Sequence, residues 1–135
     1  MSDGQQNPTV LLVDDDPPTL AGLVRICQGE PYRVVTAPNA STAMRILTET
    51  PVDVVVSDQN MPGQSGTELL KQVHEQFPAV GLIMLTAAVN PRQAERWLAA
   101  EGVLALAKPC HPVVFRETVR EVLRRHRAIP ENDRT

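Results

Sequence analysis

The sequence predicts an α/β fold: a doubly wound, five-stranded parallel sheet with helices on both faces. Three observations carry that prediction. Five short apolar runs, rich in Val, Leu and Ile, recur along the chain with almost no polar interruption. Such near-continuous runs suit strands buried on both faces, as in parallel sheets. Each run is followed by a segment whose apolar residues recur at helical spacing, so the order is β, α, repeated five times, and right-handed crossovers then wind the sheet on both sides.

The elements follow in order. Thr9 to Val13 is too short for a buried helix and reads as the first strand. Asp16-Pro17-Pro18 supplies an N-cap and a proline suited to the first helical position. Leu20, Leu23, Val24 and Cys27 form the apolar stripe of the helix that follows, and Gly29 ends it. Arg33 to Ala37 is the second strand. The second helix covers Asn39 to Thr48, with Ala40, Ala43, Met44 and Leu47 on one face. Val52 to Val56 is the third strand, with Ser57 and Asp58 at its C-terminal end. A loop from Gln59 to Gln64 leads to Ser65-Gly-Thr-Glu68, a capping box that opens a helix to about Gln76. Val80 to Leu85 is the fourth strand, ending at Thr86. Asn90-Pro91 opens a fourth helix that Gly102 closes. Val103 to Ala107 is the fifth strand, weakened by its two alanines. Pro112 to Arg127 is the last helix, with Phe115, Val119, Val122 and Leu123 on one face. Residues 1–8 are expected to be a disordered tail, 9–127 one domain, and 128–135 a tail or the start of a linker.

Composition agrees with one soluble domain. The chain has 135 residues, 42% hydrophobic and 21% charged. Only four residues are aromatic, Tyr32, Phe77, Trp97 and Phe115, so the core must be aliphatic. No stretch approaches the roughly 18 apolar residues of a membrane helix. The start lacks the basic and apolar blocks of a signal peptide, so a cytoplasmic location and no membrane are expected. Two cysteines make neither a disulfide framework nor a zinc site. The net charge of −3 argues against nucleic-acid binding by charge alone. Charge is uneven: residues 1–107 carry −6 and residues 108–135 carry +3. Lysine is scarce, with only Lys71 and Lys108 among 13 basic residues.

Ligands of open parallel sheets bind at the carboxyl ends of the strands. There the first strand delivers Asp14, Asp15 and Asp16, the third Asp58, the fourth Thr86 and the fifth Lys108, followed by Pro109. Converging carboxylates repel unless a cation compensates them. A small set of hard oxygen ligands suits Mg2+, or Mn2+, which recruits phosphate oxygens. A metal, an ammonium and a hydroxyl around a free carboxylate are what phosphoryl transfer to that carboxylate requires.

The motifs LLVDDDP, VVSDQNMPG, MLTAA and LAKPC, in this order at four strand ends, resemble those of the receiver domain of two-component response regulators. Asp58 lies 44 residues after Asp14, and Lys108 lies 22 after Thr86, spacings that fit the family. The resemblance spans residues 9 to about 127. It implies a flavodoxin-like (βα)5 sandwich with strand order 2-1-3-4-5. It implies that Asp58 is the phosphoacceptor, fed by a sensor histidine kinase or phosphotransfer protein. Asp14, Asp15, Asp58 and the backbone carbonyl of Asn60 would hold Mg2+. Thr86 would be the switch hydroxyl and Lys108 the partner of the phosphoryl oxygens, followed by a cis bond to Pro109. Two positions depart from the family pattern. Ala105 stands where an aromatic switch is common, so a conformational readout must use backbone shifts or other residues. Cys110 stands where the lysine-proline pair is usually followed by an aromatic. Asn60 and Ala88 occupy positions that tune the lifetime of the aspartyl phosphate in the family.

The bland readings also have their places. Asp16 reads as an N-cap, and His74, His111 and His126 read as surface residues. Cys110 reads as structural, and Trp97 as core packing. Arg116, Arg120 and Arg124, spaced four apart, form a basic stripe: either a solvated face paired with Glu117 and Glu121, or a contact for an acidic partner or a second copy through the last two helices. Two other functions compete. One is a degenerate receiver acting only as a binding module. The other is a phosphatase of haloacid-dehalogenase type with Asp14 as nucleophile, disfavoured by Pro18 at the last motif position and by the lack of room for a cap. No DNA-binding element is visible, and the chain reads as a stand-alone receiver or the N-terminal part of a longer regulator.

Overall fold

The computed structural model describes residues 7–87 and 102–126. Its elements are β1 (Thr9–Val13), α1 (Pro17–Ile26), β2 (Arg33–Ala37), α2 (Ala40–Glu49), β3 (Val54–Asp58), α3 (Gly66–Gln76), β4 (Gly81–Thr86), β5 (Leu104–Ala107) and α4 (Pro112–Arg125). The helix expected from Asn90-Pro91, together with Ala88 and Trp97, lies outside the described residues, as do the outer parts of both tails.

The five strands form one parallel sheet in the order β2-β1-β3-β4-β5. Alternating side chains of the central strands enter two separate cores. Val10, Leu12, Val54, Val56, Ile83 and Leu85 face α1 and α4, where Phe115, Val119 and Leu123 are fully buried. Leu11, Val13, Val55, Leu82 and Met84 face α2 and α3, against Leu47, Leu69, Leu70 and Val73. Both faces of β1, β3 and β4 are thus covered, which is why those strands read as unbroken apolar runs. The edge strand β2 exposes Arg33 and Thr36.

Local chemistry sets the helix starts. The Asp16 side chain caps α1 by accepting from Thr19 N–H at 3.1 Å. Asn39 caps α2 by accepting from Thr42 N–H at 2.8 Å. The Ser65–Glu68 capping box is formed in both directions, at 3.1 and 2.8 Å. α4 is capped by His111, whose Nδ1 accepts from Val113 N–H at 3.1 Å, a local role that a surface histidine in the sequence did not announce. Its other end is held by His126, whose Nδ1 donates to the Ala79 carbonyl at 2.9 Å. Gly81 is in contact with that end: a Cβ there would overlap Val122.

The third strand is displaced from its expected bounds. It runs Val54–Asp58 rather than Val52 to Val56. Asp53 precedes the strand and joins its start to both neighbours: its N–H donates to the Thr9 carbonyl, its carbonyl accepts from Gly81 N–H, and its Oδ2 accepts from Thr9 N–H, each at 2.8 Å. Asp58 lies on the strand, paired in register with Leu85. Among the described residues no helix is long and apolar enough to cross a membrane.

Candidate functional site

The ends of two strands and the residues directly after two others converge at the carboxyl edge. Asp14 follows β1, and its N–H donates to the Ala37 carbonyl at 3.2 Å. Asp58 ends β3. Thr86 ends β4, and its carbonyl accepts from Lys108 N–H at 2.9 Å, which sets the lysine at the mouth of the site. The Lys108–Pro109 peptide is cis.

The Lys108 Nζ lies 3.1 Å from Asp58 Oδ1 and 3.3 Å from Asp14 Oδ2, bridging two residues that precede it in the chain by 50 and 94 positions. Asp14 is 1% exposed and Asp58 5%, so these are charges taken largely out of water. Asp14 Oδ1 accepts from Asp16 N–H at 2.9 Å, so both of its oxygens are engaged. Burial pushes the Asp14 carboxyl above the usual carboxylate range; the Asp16 N–H opposes this, the neighbouring Asp58 adds to it, and Lys108 offsets it. Burial works against the Lys108 charge, but its hydrogen bond to Asp58 and the two carboxylate charges outweigh it and raise the ammonium above its ordinary value.

Asp15 is exposed beside this pair. One carboxylate oxygen from each of Asp14, Asp15 and Asp58 lies within 4.8 Å of the other two. Like charges this close call for a cation, and all three donors are hard oxygens. The set fits a hard divalent ion such as Mg2+ in its chemistry. Asn60 is exposed in the loop after β3.

That loop is closed at its base. Gln59 N–H donates to the Leu85 carbonyl at 2.9 Å, and the Gln59 carbonyl accepts from Gly66 N–H at 2.9 Å. Gln59 Oε1 accepts from both Thr67 N–H at 2.8 Å and Thr67 Oγ1 at 2.9 Å. Gly66 packs so closely that a Cβ would overlap the Asp58 carbonyl oxygen. Gln59 was not among the residues the sequence singled out. The signal available was an amide side chain directly after a strand-end aspartate and eight residues before a threonine in a capped first turn.

The other expected residues are placed as follows. Ala105 is exposed on β5, in register with Met84. Cys110 is half-buried against the α1–α4 core, and burial pushes its thiol up, so it is a packed residue rather than a thiolate. The arginine stripe is partly committed within the chain. Arg120 pairs with Glu30 through two nitrogens at 2.8 and 3.3 Å, tying α4 to the α1–β2 turn. Arg124 pairs with Glu121 at 3.0 Å, as does Arg125 at 3.2 Å. Glu121 was an expected partner of the stripe, whereas the Glu30 pairing, 90 positions away, was not expected. Arg116 is half-buried on the same helix.

Comparison with known proteins finds relatives in sequence and in fold. The model of the response regulator receiver domain family matches residues 10–120. The hydrogenase transcriptional regulatory protein HoxA of Cupriavidus necator is 34% identical over 124 residues, which cover 91% of this chain and 25% of that protein. The chain thus spans about a quarter of that relative's length. The rice two-component response regulator ORR6 is 30% identical over 115 residues, covering 82% of this chain and 68% of that protein. Among solved structures, the signal receiver domain of an HD domain-containing protein from Pseudomonas fluorescens superposes with a TM-score of 0.85 at 26% identity, covering 92% of this chain and all of that one. A CheY-like receiver domain protein from Methanospirillum hungatei gives 0.83 at 25% identity, covering 90% and 97%.

Proposed function

The chain belongs to the response regulator receiver domain family, and from that premise we propose that Asp58 accepts a phosphoryl group from the phosphohistidine of a sensor histidine kinase or phosphotransfer protein, in a Mg2+-dependent reaction. The observation that carries this reading is the Lys108 ammonium bridging the buried carboxylates of Asp14 and Asp58 at 3.3 and 3.1 Å.

The placement of the side chains supports a role for each in this reading. Asp58 Oδ2 accepts no hydrogen bond among the described residues, so it is the oxygen free to attack phosphorus. As the O–P bond forms, the P–N bond of the donor breaks and its electron pair returns to the imidazole ring. Lys108 already holds Asp58 Oδ1, and it orients the nucleophile and faces the charge gathering on the transferred oxygens. Thr86, anchored through its carbonyl to Lys108, offers a hydroxyl to one of those oxygens. Asp14, Asp15, Asp58 and the Asn60 carbonyl would hold Mg2+, which supplies charge neutralisation of the moving group. The phosphatase reading with Asp14 as nucleophile is less well supported, because both Asp14 oxygens are already hydrogen-bonded and only 1% of the residue is exposed.

The test is phosphoryl uptake from a small phosphodonor with Mg2+. The wild type is expected to take up one equivalent, as a base-labile acyl phosphate. Asp58→Asn is expected to take up none, and Lys108→Met to be slowed by about 100-fold. Uptake by Asp58→Asn at the wild-type rate overturns the assignment.

A further inference from the structure

We propose that Gln59 is a positioning residue for the phosphorylation site, acting through its side-chain clamp on Thr67. The proposal rests on the reading of Asp58 and Asn60 given above. Gln59 sits between those two residues, and its hydrogen bonds reach in two directions. Its N–H is fixed to β4 through the Leu85 carbonyl. Its own carbonyl and its Oε1 are fixed to the first turn of α3, the carbonyl by Gly66 N–H and Oε1 by the N–H and hydroxyl of Thr67.

These contacts act on the site through the chain itself. The Gln59–Asn60 peptide carries the Gln59 carbonyl, and the next carbonyl along is that of Asn60. Further along, the loop is tied by Met61, packed against the α2–α3 core, and by Gln64 Nε2, which donates to Gln72 Oε1 at 2.9 Å, but Asn60 itself is exposed and Gly63 adopts a positive φ of 84°. Without a fixed base, the entropy of that loop would spread the Asn60 carbonyl over many orientations. With Gln59 held from both sides, the base of the loop is fixed, and Asn60 leaves it in a set direction. The same clamp holds α3 against β3 where Gly66 packs on the Asp58 carbonyl. The apolar side chain that would suit a half-buried position here could not accept from Thr67, and its N–H would lose its partner. Mg2+ demands near-ideal octahedral geometry, so ligand orientation weighs heavily on its affinity.

The experiment measures Mg2+ affinity by titration calorimetry, alongside phosphoryl uptake, for the whole chain and five variants. Gln59→Leu is expected to weaken Mg2+ binding by on the order of tenfold and to slow uptake correspondingly. Thr67→Val removes the hydroxyl bond and is expected to weaken it by a smaller factor, while Thr67→Ser restores the wild-type value. In the double variant Gln59→Leu/Thr67→Val the two losses are expected not to add, because they act through one contact. Ser65→Ala serves as the control: it breaks the α3 capping box without touching Gln59, and is expected to lower stability while leaving Mg2+ affinity within twofold. Wild-type Mg2+ affinity in Gln59→Leu overturns the proposal, as does an equal loss of affinity in Ser65→Ala, which would make Gln59 one helix-start contact among others. A wild-type chain that binds no Mg2+ defeats the reading of the site and takes this proposal with it, an outcome distinct from the other two.

Discussion

Individual side chains show how few groups in this core are polar and how each is handled. Tyr32 is buried, and its hydroxyl donates to Cys27 Sγ at 3.5 Å. Burial pushes both the Cys27 thiol and the Tyr32 phenol above their ordinary values. The folded chain therefore keeps both protonated. Their contribution to stability is fully present below the unfolded values, about 8.5 for a thiol and 10 for a phenol. It is lost as pH rises past those values, because the unfolded chain releases protons that the folded chain retains. Urea midpoints measured across alkaline pH should fall, and the fall should be shallower in Cys27→Ala from about pH 8.5 and in Tyr32→Phe from about pH 10. Parallel curves for all three proteins would show that neither group is held neutral by the fold. The sequence had marked Cys27 as a stripe residue of the first helix but had no means of pairing it with Tyr32, since that contact depends on the turn between them.

Among the elements, local signals and long-range contacts separate cleanly. Caps, prolines and apolar period located nearly every helix and strand, because each is written within a few residues. The bounds of β3 differ by two residues from those the apolar run suggests, because the strand continues through the polar Ser57 and Asp58, which pair with Met84 and Leu85 of β4. The strand ends made the carboxylates, Thr86 and Lys108 legible as a group, since topology alone brings strand ends to one edge. What stayed hidden was non-local: the Gln59 clamp and the Glu30–Arg120 pair. That pair is largely buried, with side chains 10% and 19% exposed, and it joins α4 to the α1–β2 turn. Arg120→Met should lower stability by about 1 to 2 kcal/mol, between the values for exposed and fully buried pairs. Glu30→Gln in that background should add little. Chemical denaturation of the single and double variants measures both, and additive losses would mean that the two side chains act independently.

For the whole molecule, the cluster of acids at one edge is a stability cost. Three carboxylates within 4.8 Å repel one another, and Lys108 offsets only part of that. An ion bound by the folded chain alone must then stabilise it. At Mg2+ ten times above its dissociation constant the gain is about 1.4 kcal/mol, a rise in Tm of roughly 5 °C for a chain of this size. Asp15 is exposed and is the one member of the trio without an ion pair to Lys108. Asp15→Asn should therefore raise the metal-free stability by a few tenths of a kcal/mol and shrink the Mg2+-induced rise. A thermal scan with and without Mg2+ decides this: an unchanged Mg2+ response in Asp15→Asn would remove that carboxylate from the ligand set.

The division of the interior by the sheet has a consequence for how this chain can change over generations. Val10 and Leu12 serve one core while Leu11 and Val13 serve the other, so neighbours in the sequence answer to different packing partners. Epistasis among core substitutions should follow the sheet face rather than the sequence. A volume lost at Phe115 can be compensated only beneath α1 and α4, and a volume lost at Leu70 only beneath α2 and α3. The chain therefore carries two mutational histories that can drift separately, provided the strand ends where both faces meet stay as they are.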